Sequence, residues 1–341
     1  MRLLIFTQKV DQKDPILGFF CGWIKALSEK FQSVHVVCLE EGKYELPSNV
    51  TVYSLGKEQG AGRLTYIIQF FHHLYVLSGL YDSVFVHMNQ EYIILGGWYW
   101  YVKNMPVYFW RNHPAGNFLT KIAGLFSKKV FYTSTDSFTA KFKNSISMPV
   151  GTDMEIFKPI SSTLRKKNSI CMVGRIAPVK HIEICLQAIK ILISEGIQAS
   201  LSVVGSVSKK DTIYFASLKE FVSKNKLESY IAFLPAVSQD KLPEVYSSHE
   251  ICVNLTDSGS FDKTIIESAA CGVLPVTSNK SLRGILPTVC ISDFNPLSLA
   301  EALKKALITE NQLKVRQSLD KLVSENSLSL LADKLSANIN V

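Results

Sequence analysis

The chain has 341 residues, of which 47% are apolar and 19% charged, and its formal net charge is +8 at pH 7. The chain is longer than a typical single domain with one hydrophobic core, so its length predicts two domains. Its apolar content excludes a disordered chain. The excess of Lys and Arg suits anionic partners, but charge is the only sign of nucleic-acid binding, so no nucleic-acid partner is expected.

The N-terminus and the cysteines bear on the cellular compartment. The first apolar run turns polar at Gln8, so it is too short for a signal peptide and predicts a first strand. Seven cysteines lie far apart without metal-ligand spacing, which predicts buried, reduced thiols rather than a disulfide framework or a zinc site. We therefore expect a cytoplasmic protein.

Short apolar runs of the kind that form buried parallel strands recur along the chain, with helix-length segments between them. In the first half they occupy residues 3–6, 34–39, 50–55, 84–86, 107–110 and 130–133. In the second half they occupy residues 170–173, 201–204, 231–234, 251–255 and 273–276. Each series predicts a doubly wound α/β domain.

A stretch of turn-forming and polar residues, from 149 to 167, separates the two series. We place the hinge near residues 150–165 and predict one domain over residues 1–155 and the other over residues 156–341. The final segment, residues 328–339, has helical spacing. It is assigned to the second domain, with the alternative that it packs back on the first.

Two uncharged stretches, residues 64–81 and 92–102, predict helices packed on a sheet. The first contains several polar residues and the second is too short, so neither predicts a membrane span. An alternative places the aromatic residues 98–101 at a membrane surface. Solvation, acidic lipid head groups, a phosphorylated acceptor and nucleic acid all remain open for the clustered basic residues Lys121, Lys128, Lys129, Lys141 and Lys143.

The turn after residues 170–173 is a candidate phosphate site, and it reads G-R-I-A-P-V-K from Gly174 to Lys180. Ligands of open α/β sheets bind beyond the carboxyl ends of strands, and a helix N-terminus offers free N–H groups to an anion. Gly174 permits close backbone approach, while Arg175 and Lys180 supply a planar fork and a compact charge. Taken alone, an R-x4-K pattern more often marks solvated cations.

A second element reads D-S-G-S-F-D-K-T-I-I-E from Asp257 to Glu267 and continues S-A-A-C-G-V-L-P-V. It predicts a small-residue loop, a short helix that ends at Gly272, and a strand. The loop and the helix start can receive a second face of a diphosphate, and Glu267 can accept hydrogen bonds from ribose hydroxyls. A capping or exposed carboxylate is the alternative for Glu267 taken alone.

These segments together resemble glycosyltransferase family 4, whose members are retaining enzymes of the GT-B fold. V-G-R at Val173 with Lys180 resembles the family's glycine-arginine turn and following lysine, and the segment from Glu267 resembles its E-A-x-A-x-G-x-P-V motif. P-V-G-T-D before F-K-P at Phe157 resembles its interdomain stretch. The resemblance implies two Rossmann-like domains facing a central cleft, the first binding the acceptor and the second the nucleotide sugar.

The resemblance also implies roles for individual residues. Arg175 and Lys180 would bind the phosphates of a UDP- or GDP-linked sugar, Glu267 would bind its ribose, and no metal or other cofactor would be required. One position departs from the family, because Gly259 stands where an E-G-F-G loop has its glutamate. Sugar recognition must therefore differ, and Asp262 or Lys263 is a candidate for the missing contact. The implied donor site includes the whole loop, Gly259, Ser260, Phe261, Asp262 and Lys263.

In the first half, the stretch W-R-N-H-P places His113 where the family carries an active-site histidine. Contact with the donor sugar is its implied role, and a structural hydrogen bond is the alternative. On the acceptor side we predict Arg111, His87 and Asn89, although a helix start capped by Asn89 also fits that segment. Gly18 resembles the family's glycine-containing first loop, which approaches the donor.

The sequence thus predicts a metal-independent glycosyltransferase of the hexosyltransferase type that acts with retention. The implied catalytic residues are His113, Arg175, Lys180 and Glu267. We expect a sugar, glycolipid or polyprenyl-linked acceptor in glycan, glycolipid or cell-surface polysaccharide synthesis, with peripheral contact to the inner face of the membrane. A nucleotide-sugar epimerase and a non-catalytic nucleotide-sugar-binding protein are the alternatives, while a nicotinamide dehydrogenase is disfavoured because no G-x-G-x-x-G follows the first strand.

Overall fold

A computed structural model describes residues 1–257 and 261–339 and divides into two compact units. The first unit contains Met1–Gly151 together with the chain from Leu328 onward, and the second contains Thr152–Ser327. The sequence places the domain boundary between residues 155 and 156. The structure divides the chain between residues 151 and 152 and assigns the last helix to the first unit.

The described residues form twelve strands in two parallel sheets. The strands are Arg2–Val10 (β1), Ser33–Glu41 (β2), Val50–Ser54 (β3), Ser83–His87 (β4), Val107–Trp110 (β5), Lys129–Tyr132 (β6), Ser145–Ser147 (β7), Ser169–Val173 (β8), Ser200–Val204 (β9), Ile231–Leu234 (β10), Ile251–Asn254 (β11) and Leu274–Thr277 (β12). The first sheet has the order β3-β2-β1-β4-β5-β6-β7 and the second the order β10-β9-β8-β11-β12. Every strand predicted from an apolar run is present. Only the short edge strand β7, which contains one apolar residue, is not predicted.

The described residues also form eleven α-helices, most of which connect neighbouring strands. They are Phe19–Ser28 (α1), Arg63–Val76 (α2), Glu91–Val102 (α3), Phe118–Leu125 (α4), Ile182–Ser194 (α5), Thr212–Lys224 (α6), Leu242–Ser247 (α7), Lys263–Ala270 (α8), Pro296–Ala306 (α9), Thr309–Glu325 (α10) and Leu328–Ile339 (α11). Parallel strands require such crossover connections. The predicted pair of Rossmann-like α/β domains, each built on a parallel sheet, is therefore confirmed.

The sheet of the first unit is covered by helices on both faces. Side chains of β1 alternate between the faces, so that Leu3 and Ile5 enter one core and Leu4 and Phe6 the other. Helices α1 and α11 pack on the first face, and α2, α3 and α4 pack on the second. The two uncharged stretches are thus helices on a sheet, as predicted. No helix within the described ranges is both long enough and apolar enough to cross a bilayer.

In the second unit, β8 lies between β9 and β11, so three strands end side by side at the middle of the sheet edge. Helix α5 packs against α6 and α9, and α8 packs against α7 and α10. Buried thiols contribute to this core, including Cys171 and Cys252 on paired positions of neighbouring strands. All seven cysteines are buried with free thiols, in agreement with the predicted buried thiols.

Candidate functional site

The turn after β8 depends on two glycines. Gly174 has a φ of +141°, a backbone conformation that side chains disfavour, and a Cβ there would lie 3.3 Å from Cε of Lys180. A Cβ on Gly205, just after β9, would lie 1.8 Å from the carbonyl oxygen of Gly174. A side chain at Gly205 would therefore collide with that oxygen, whereas Gly174 is restricted mainly by its backbone conformation. The backbone of the β8 turn therefore passes directly over the end of β9.

Lys180 lies at the end of this turn, in the short 3-10 segment Pro178–Lys180 that leads into α5. Its ammonium donates to Oδ2 of Asp262 at 2.5 Å and to the hydroxyl of Thr256 at 2.9 Å. The next residue, His181, takes a left-handed φ of 48° and begins α5. The segment after β8 and the segment after β11 are thus joined through one ammonium group.

Asp262 connects Lys180 to the start of α8. Its carboxylate caps that helix by accepting from the backbone N–H of Thr264 at 3.3 Å, and it also accepts from the hydroxyl of Thr256 at 3.0 Å. Burial by itself would raise the pKa of Asp262, but the charge of Lys180 and the surrounding hydrogen bonds outweigh it and hold the pKa well below its ordinary value. Asp262 is therefore an anion in the folded protein across the neutral range.

Arg175 is exposed, in contrast to Lys180, whose side chain is 18% exposed. No carboxylate among residues 1–257 and 261–339 forms an ion pair with its guanidinium. Arg175, Lys180 and Asn254 line a common cavity of about 10 Å³ at the ends of β8 and β11, which has room for about one water molecule. The guanidinium thus projects from the rim of this cavity with its donors open to an anion.

Glu267 lies in the middle of α8 and is almost fully buried. The hydroxyl of Tyr246, from α7, donates to its Oε2 at 3.0 Å. Burial raises the pKa of Glu267, while the nearby charge of Lys263 and the bond from Tyr246 oppose that rise. Burial likewise lowers the pKa of Lys263, against the attraction of Glu267 and Asp153. Lys263 and Glu267, four residues apart on α8, therefore influence each other's charge.

The structure brings part of the predicted donor site together. Gly174, Arg175 and Lys180 meet Asp262 at the edge of the sheet, and Lys263 and Glu267 follow on the same helix. Phe261 precedes the cap and is half-buried. Gly259 and Ser260 lie outside the described residues. The roles of all these residues in binding a donor stay predictions.

Two of the candidates from the first half of the chain, Arg111 and His113, lie in the first unit after β5. His113 is exposed, and its Nδ1 lies 3.0 Å from the backbone nitrogen of Ala115, which donates to it. Arg111 donates to the carbonyl oxygen of Ala115 at 3.3 Å, and burial lowers the pKa of its guanidinium. Its Nε is buried and has no hydrogen-bond partner in the described part of the chain. Both side chains therefore help to shape one short loop.

The remaining candidates have structural environments of their own. His87 is 2% exposed, stacks on Phe20 with the ring centres 4.0 Å apart, and lies 3.2 Å from the hydroxyl of Thr7, so little of it is open to an acceptor. Asn89 does not cap α3, whose N-cap is Gln90 without a side-chain hydrogen bond. Gly18 is the N-cap of α1 and donates its N–H to the carbonyl oxygen of Asp14.

Three residues of the second-unit site were not singled out from the sequence. Asn254 is the last residue of β11 and Thr256 follows the strand, and polar residues at the carboxyl end of a central strand are a usable signal for a ligand site. Tyr246 has no comparable signal. Its spacing with Leu242 predicts burial, but its bond to Glu267 joins positions 21 residues apart.

No group of three His, Cys, Asp or Glu side chains within the described ranges is arranged to hold a metal ion.

Comparison with known proteins gives matches in both sequence and fold. Residues 167–308 match the family model described as "Glycosyl transferases group 1". The D-inositol 3-phosphate glycosyltransferase of Rhodococcus opacus is 30% identical over 122 residues, which span 35% of this chain and 27% of the relative. This match thus spans about a quarter of that enzyme's length.

Solved structures match over the whole chain. Anabaena HepE in complex with UDP has a TM-score of 0.81 at 14% identity, with 100% of both chains covered. The sucrose-phosphate synthase of Thermosynechococcus elongatus has a TM-score of 0.77 at 14% identity, with 100% of this chain and 98% of that chain covered. At such low identity these likenesses establish the fold. It is the two-domain GT-B arrangement of Rossmann-like units found in glycosyltransferases.

Proposed function

We propose that this chain is a retaining glycosyltransferase of family 4 that transfers a hexose from a nucleoside-diphosphate sugar to an acceptor hydroxyl. The observation that carries the proposal is the meeting of an unpaired Arg175, the ammonium of Lys180 and the start of α8 at the carboxyl ends of β8 and β11. Positive groups at this edge of a Rossmann-like sheet suit a diphosphate. The match of residues 167–308 to a glycosyltransferase family model covers the same segment.

The donor is proposed to carry UDP, with GDP as the alternative nucleotide. UDP is named because a protein of the same fold, HepE, was solved with UDP and with UDP-glucose. Arg175 would grip two phosphate oxygens with its fork, and Lys180 would add a point charge. Glu267 would accept from the ribose through Oε1, because Tyr246 already occupies Oε2.

The proposed chemistry is a displacement at the anomeric carbon on the face of the leaving group. The acceptor oxygen forms the new bond as the bond to the diphosphate oxygen breaks, and the acceptor's proton passes to a phosphate oxygen. Negative charge grows on the departing diphosphate, where Arg175, Lys180 and the N–H groups at the start of α8 would stabilise it. No metal enters this scheme, and His113 is proposed to contact the transferred sugar.

Sugar recognition is proposed to involve Lys263 rather than Asp262. The carboxylate of Asp262 already accepts from Lys180, Thr256 and Thr264, so it is engaged in holding the phosphate-binding lysine in place. Lys263 is the next residue on α8 and lies near Glu267. If Lys263→Ala left both the Michaelis constant for the donor and the turnover unchanged, this assignment would fail.

The acceptor is proposed to be a sugar, glycolipid or polyprenyl-linked glycan used in glycan, glycolipid or cell-surface polysaccharide synthesis. The reaction would then take place in the cytoplasm at the inner face of the membrane, with Arg111, His87 and Asn89 on the acceptor side. Gly18 is proposed to lie near the donor.

A thermal-shift titration with UDP, GDP, ADP and their sugars tests the donor assignment, because a ligand that binds the folded state raises its melting temperature. We expect UDP or GDP to stabilise wild type and Arg175→Ala to lose most of that stabilisation. The matched control is Lys190→Ala, which removes an exposed cation on α5 away from the site. Transfer of labelled sugar to a lipid extract then separates a transferase from an epimerase or a simple binder. Equal nucleotide response in Arg175→Ala and wild type would overturn the proposal.

A further inference from the structure

The helices on the second face of the first sheet differ from those on its other face. Helices α2, α3 and α4 carry large apolar side chains that are exposed, whereas α1 and α11, which are fully described, carry none. Buried side chains of α2, such as Phe70 and Leu74, already fill the core beneath it. The exposed residues are therefore additional to what the fold needs. Monomeric proteins rarely expose a contiguous apolar surface without a partner for it.

Half of these side chains lie at one edge of the unit. Helices that connect parallel strands run opposite to the strands, so α2, α3 and α4 all end at the edge where the strands begin. A hydrogen bond of 2.9 Å between Ser78 and Tyr99 joins the ends of α2 and α3, and the rings of Tyr101 and Phe126 join the ends of α3 and α4. The exposed apolar residues at these ends, called here the helix-end surface, are Tyr75, Val76, Leu80, Trp98, Tyr101, Val102 and Leu125.

The charges around the helix-end surface have one sign. Residues 75–83, 98–106 and 121–129 contain Lys103, Lys121, Lys128 and Lys129 but a single acidic residue, Asp82. Asp82 forms an ion pair with Arg2 at 2.6 Å, so it cancels none of these lysines. Glu91 is the acidic residue within the three helices, and it lies at the opposite end of α3, about 18 Å away at the usual rise per residue. The surface thus combines exposed Trp, Tyr and Leu side chains with the exposed lysines Lys103 and Lys121.

We propose that the helix-end surface docks on a membrane with anionic lipid head groups. Tyr and Trp place an apolar ring and a polar edge at a lipid–water boundary, and neighbouring lysines are attracted to anionic head groups. A second copy of the chain is a poorer partner, because a symmetric contact would set the same lysines against each other. The surface is that of a peripheral protein, and its docking does not depend on the transfer activity proposed above.

The test is flotation of the purified full chain with vesicles of phosphatidylcholine, alone or mixed with phosphatidylglycerol. We expect binding to the mixed vesicles, little binding to the neutral ones, and loss of binding at high salt. Tyr75→Ser, Tyr101→Ser and Leu125→Ser together remove side chains that are 82%, 75% and 85% exposed, and should weaken binding by at least about tenfold. Lys103→Glu with Lys121→Glu should weaken it by at least about twentyfold, from roughly fivefold for each lysine contribution.

The matched control is Ile213→Ser with Leu313→Ser, which removes exposed apolar side chains from the second unit and should leave vesicle binding unchanged. Melting temperature and the response to UDP are measured for every variant, so that a loss of vesicle binding in a folded, nucleotide-responsive protein is assigned to the surface. Absence of binding to the mixed vesicles, or equal binding by the triple variant and wild type, would overturn the proposal. So would a dimer of wild type in light scattering that the triple variant converts to a monomer.

Discussion

The pair formed by Lys180 and Asp262 gives the sharpest test of the second-unit site, through the substitution Asp262→Asn. The two side chains are 18% and 16% exposed and their charged atoms lie 2.5 Å apart. Asparagine keeps the size of the side chain and its ability to cap α8, so the change removes the charge and little else. Lys180 is then left with Thr256 as its hydrogen-bond partner.

The cost to folding follows from the kind of bond that is lost. A hydrogen bond to a charged group contributes about 1.5–3 kcal/mol, and the lysine that remains is largely removed from water. For a domain of this size, such a loss lowers the melting temperature by roughly 3–12 °C. Calorimetry of wild type and variant at neutral pH measures it. The control Asp240→Asn changes an exposed carboxylate of the same unit without an ion pair in the described ranges, and it should leave the melting temperature unchanged.

The dependence on pH has a defined sign. The pKa of Asp262 is held well below its ordinary value in the folded protein, so its stabilisation is complete above that ordinary value, about 3.9 in model peptides. This stabilisation is lost as the pH falls through the lower pKa that Asp262 has in the folded protein. The gap between the unfolding free energies of wild type and Asp262→Asn should therefore persist down to about pH 4 and close only in stronger acid.

Asp262→Asn should strengthen nucleotide binding, although it lowers the stability of the folded protein. In Asp262→Asn, a bound diphosphate supplies the negative charge that Lys180 has lost and meets one repelling carboxylate fewer. We therefore expect UDP to raise the melting temperature of the variant by more than it raises that of wild type. A variant with wild-type stability at neutral pH would refute the view that this pair stabilises the unit. A UDP response no larger than that of wild type would refute the placement of the diphosphate at Lys180.

Three further substitutions probe separate parts of the site. Arg175→Lys keeps the charge but loses the fork, and should lower the rate of sugar transfer by at least about tenfold in a single-turnover assay; full activity would exclude a two-point grip. Tyr246→Phe removes the donor to Oε2 of Glu267 and should cost about 1–3 kcal/mol in urea unfolding, whereas Tyr230→Phe, at an exposed hydroxyl, should cost little. Gly205→Ala should lower the unfolding free energy by about 1–3 kcal/mol or more and weaken nucleotide binding, because the added Cβ would collide with the carbonyl oxygen of Gly174. Gly62→Ala serves as the control, because a Cβ at Gly62 would meet open space. Equal stability of the two variants would contradict the close approach at Gly205.

Much of the fold could be predicted from the sequence, because its signals are local. Both β5 and β10 are short, continuously apolar runs, so their bounds agree with the predicted runs to the residue. Arg175 and Lys180 lie in the turn that follows a predicted strand, so the sequence predicts their place at the edge of the sheet. The loop at Gly259 and Ser260 was also singled out, and it lies outside the described residues.

The contacts that complete the site join residues far apart in the chain. Lys180 and Asp262 are 82 residues apart, and no local pattern around Asp262 identifies Lys180 as its partner. The return of α11 to the first unit, where Leu331 and Leu335 enter the core with α1, likewise depends on which apolar surfaces the finished sheet leaves open. Apolar spacing predicts that a helix will bury one face, but it does not name the partner of that face.

The aromatic segment at residues 98–101 shows which features the sequence determines and which depend on the tertiary structure. Its composition alone allows either a helix packed on a sheet or a membrane contact, and one turn of α3 carries both a buried ring and exposed rings. Trp100 is fully buried, whereas Trp98 and Tyr101 are exposed, because the sheet beneath α3 can cover only the side of the helix that faces it. The sequence by itself determined that a helix with an apolar face would form here. Only the tertiary structure decided which aromatic rings enter the core and which remain in solvent, since that choice depends on how the helix is rotated against strands from elsewhere in the chain.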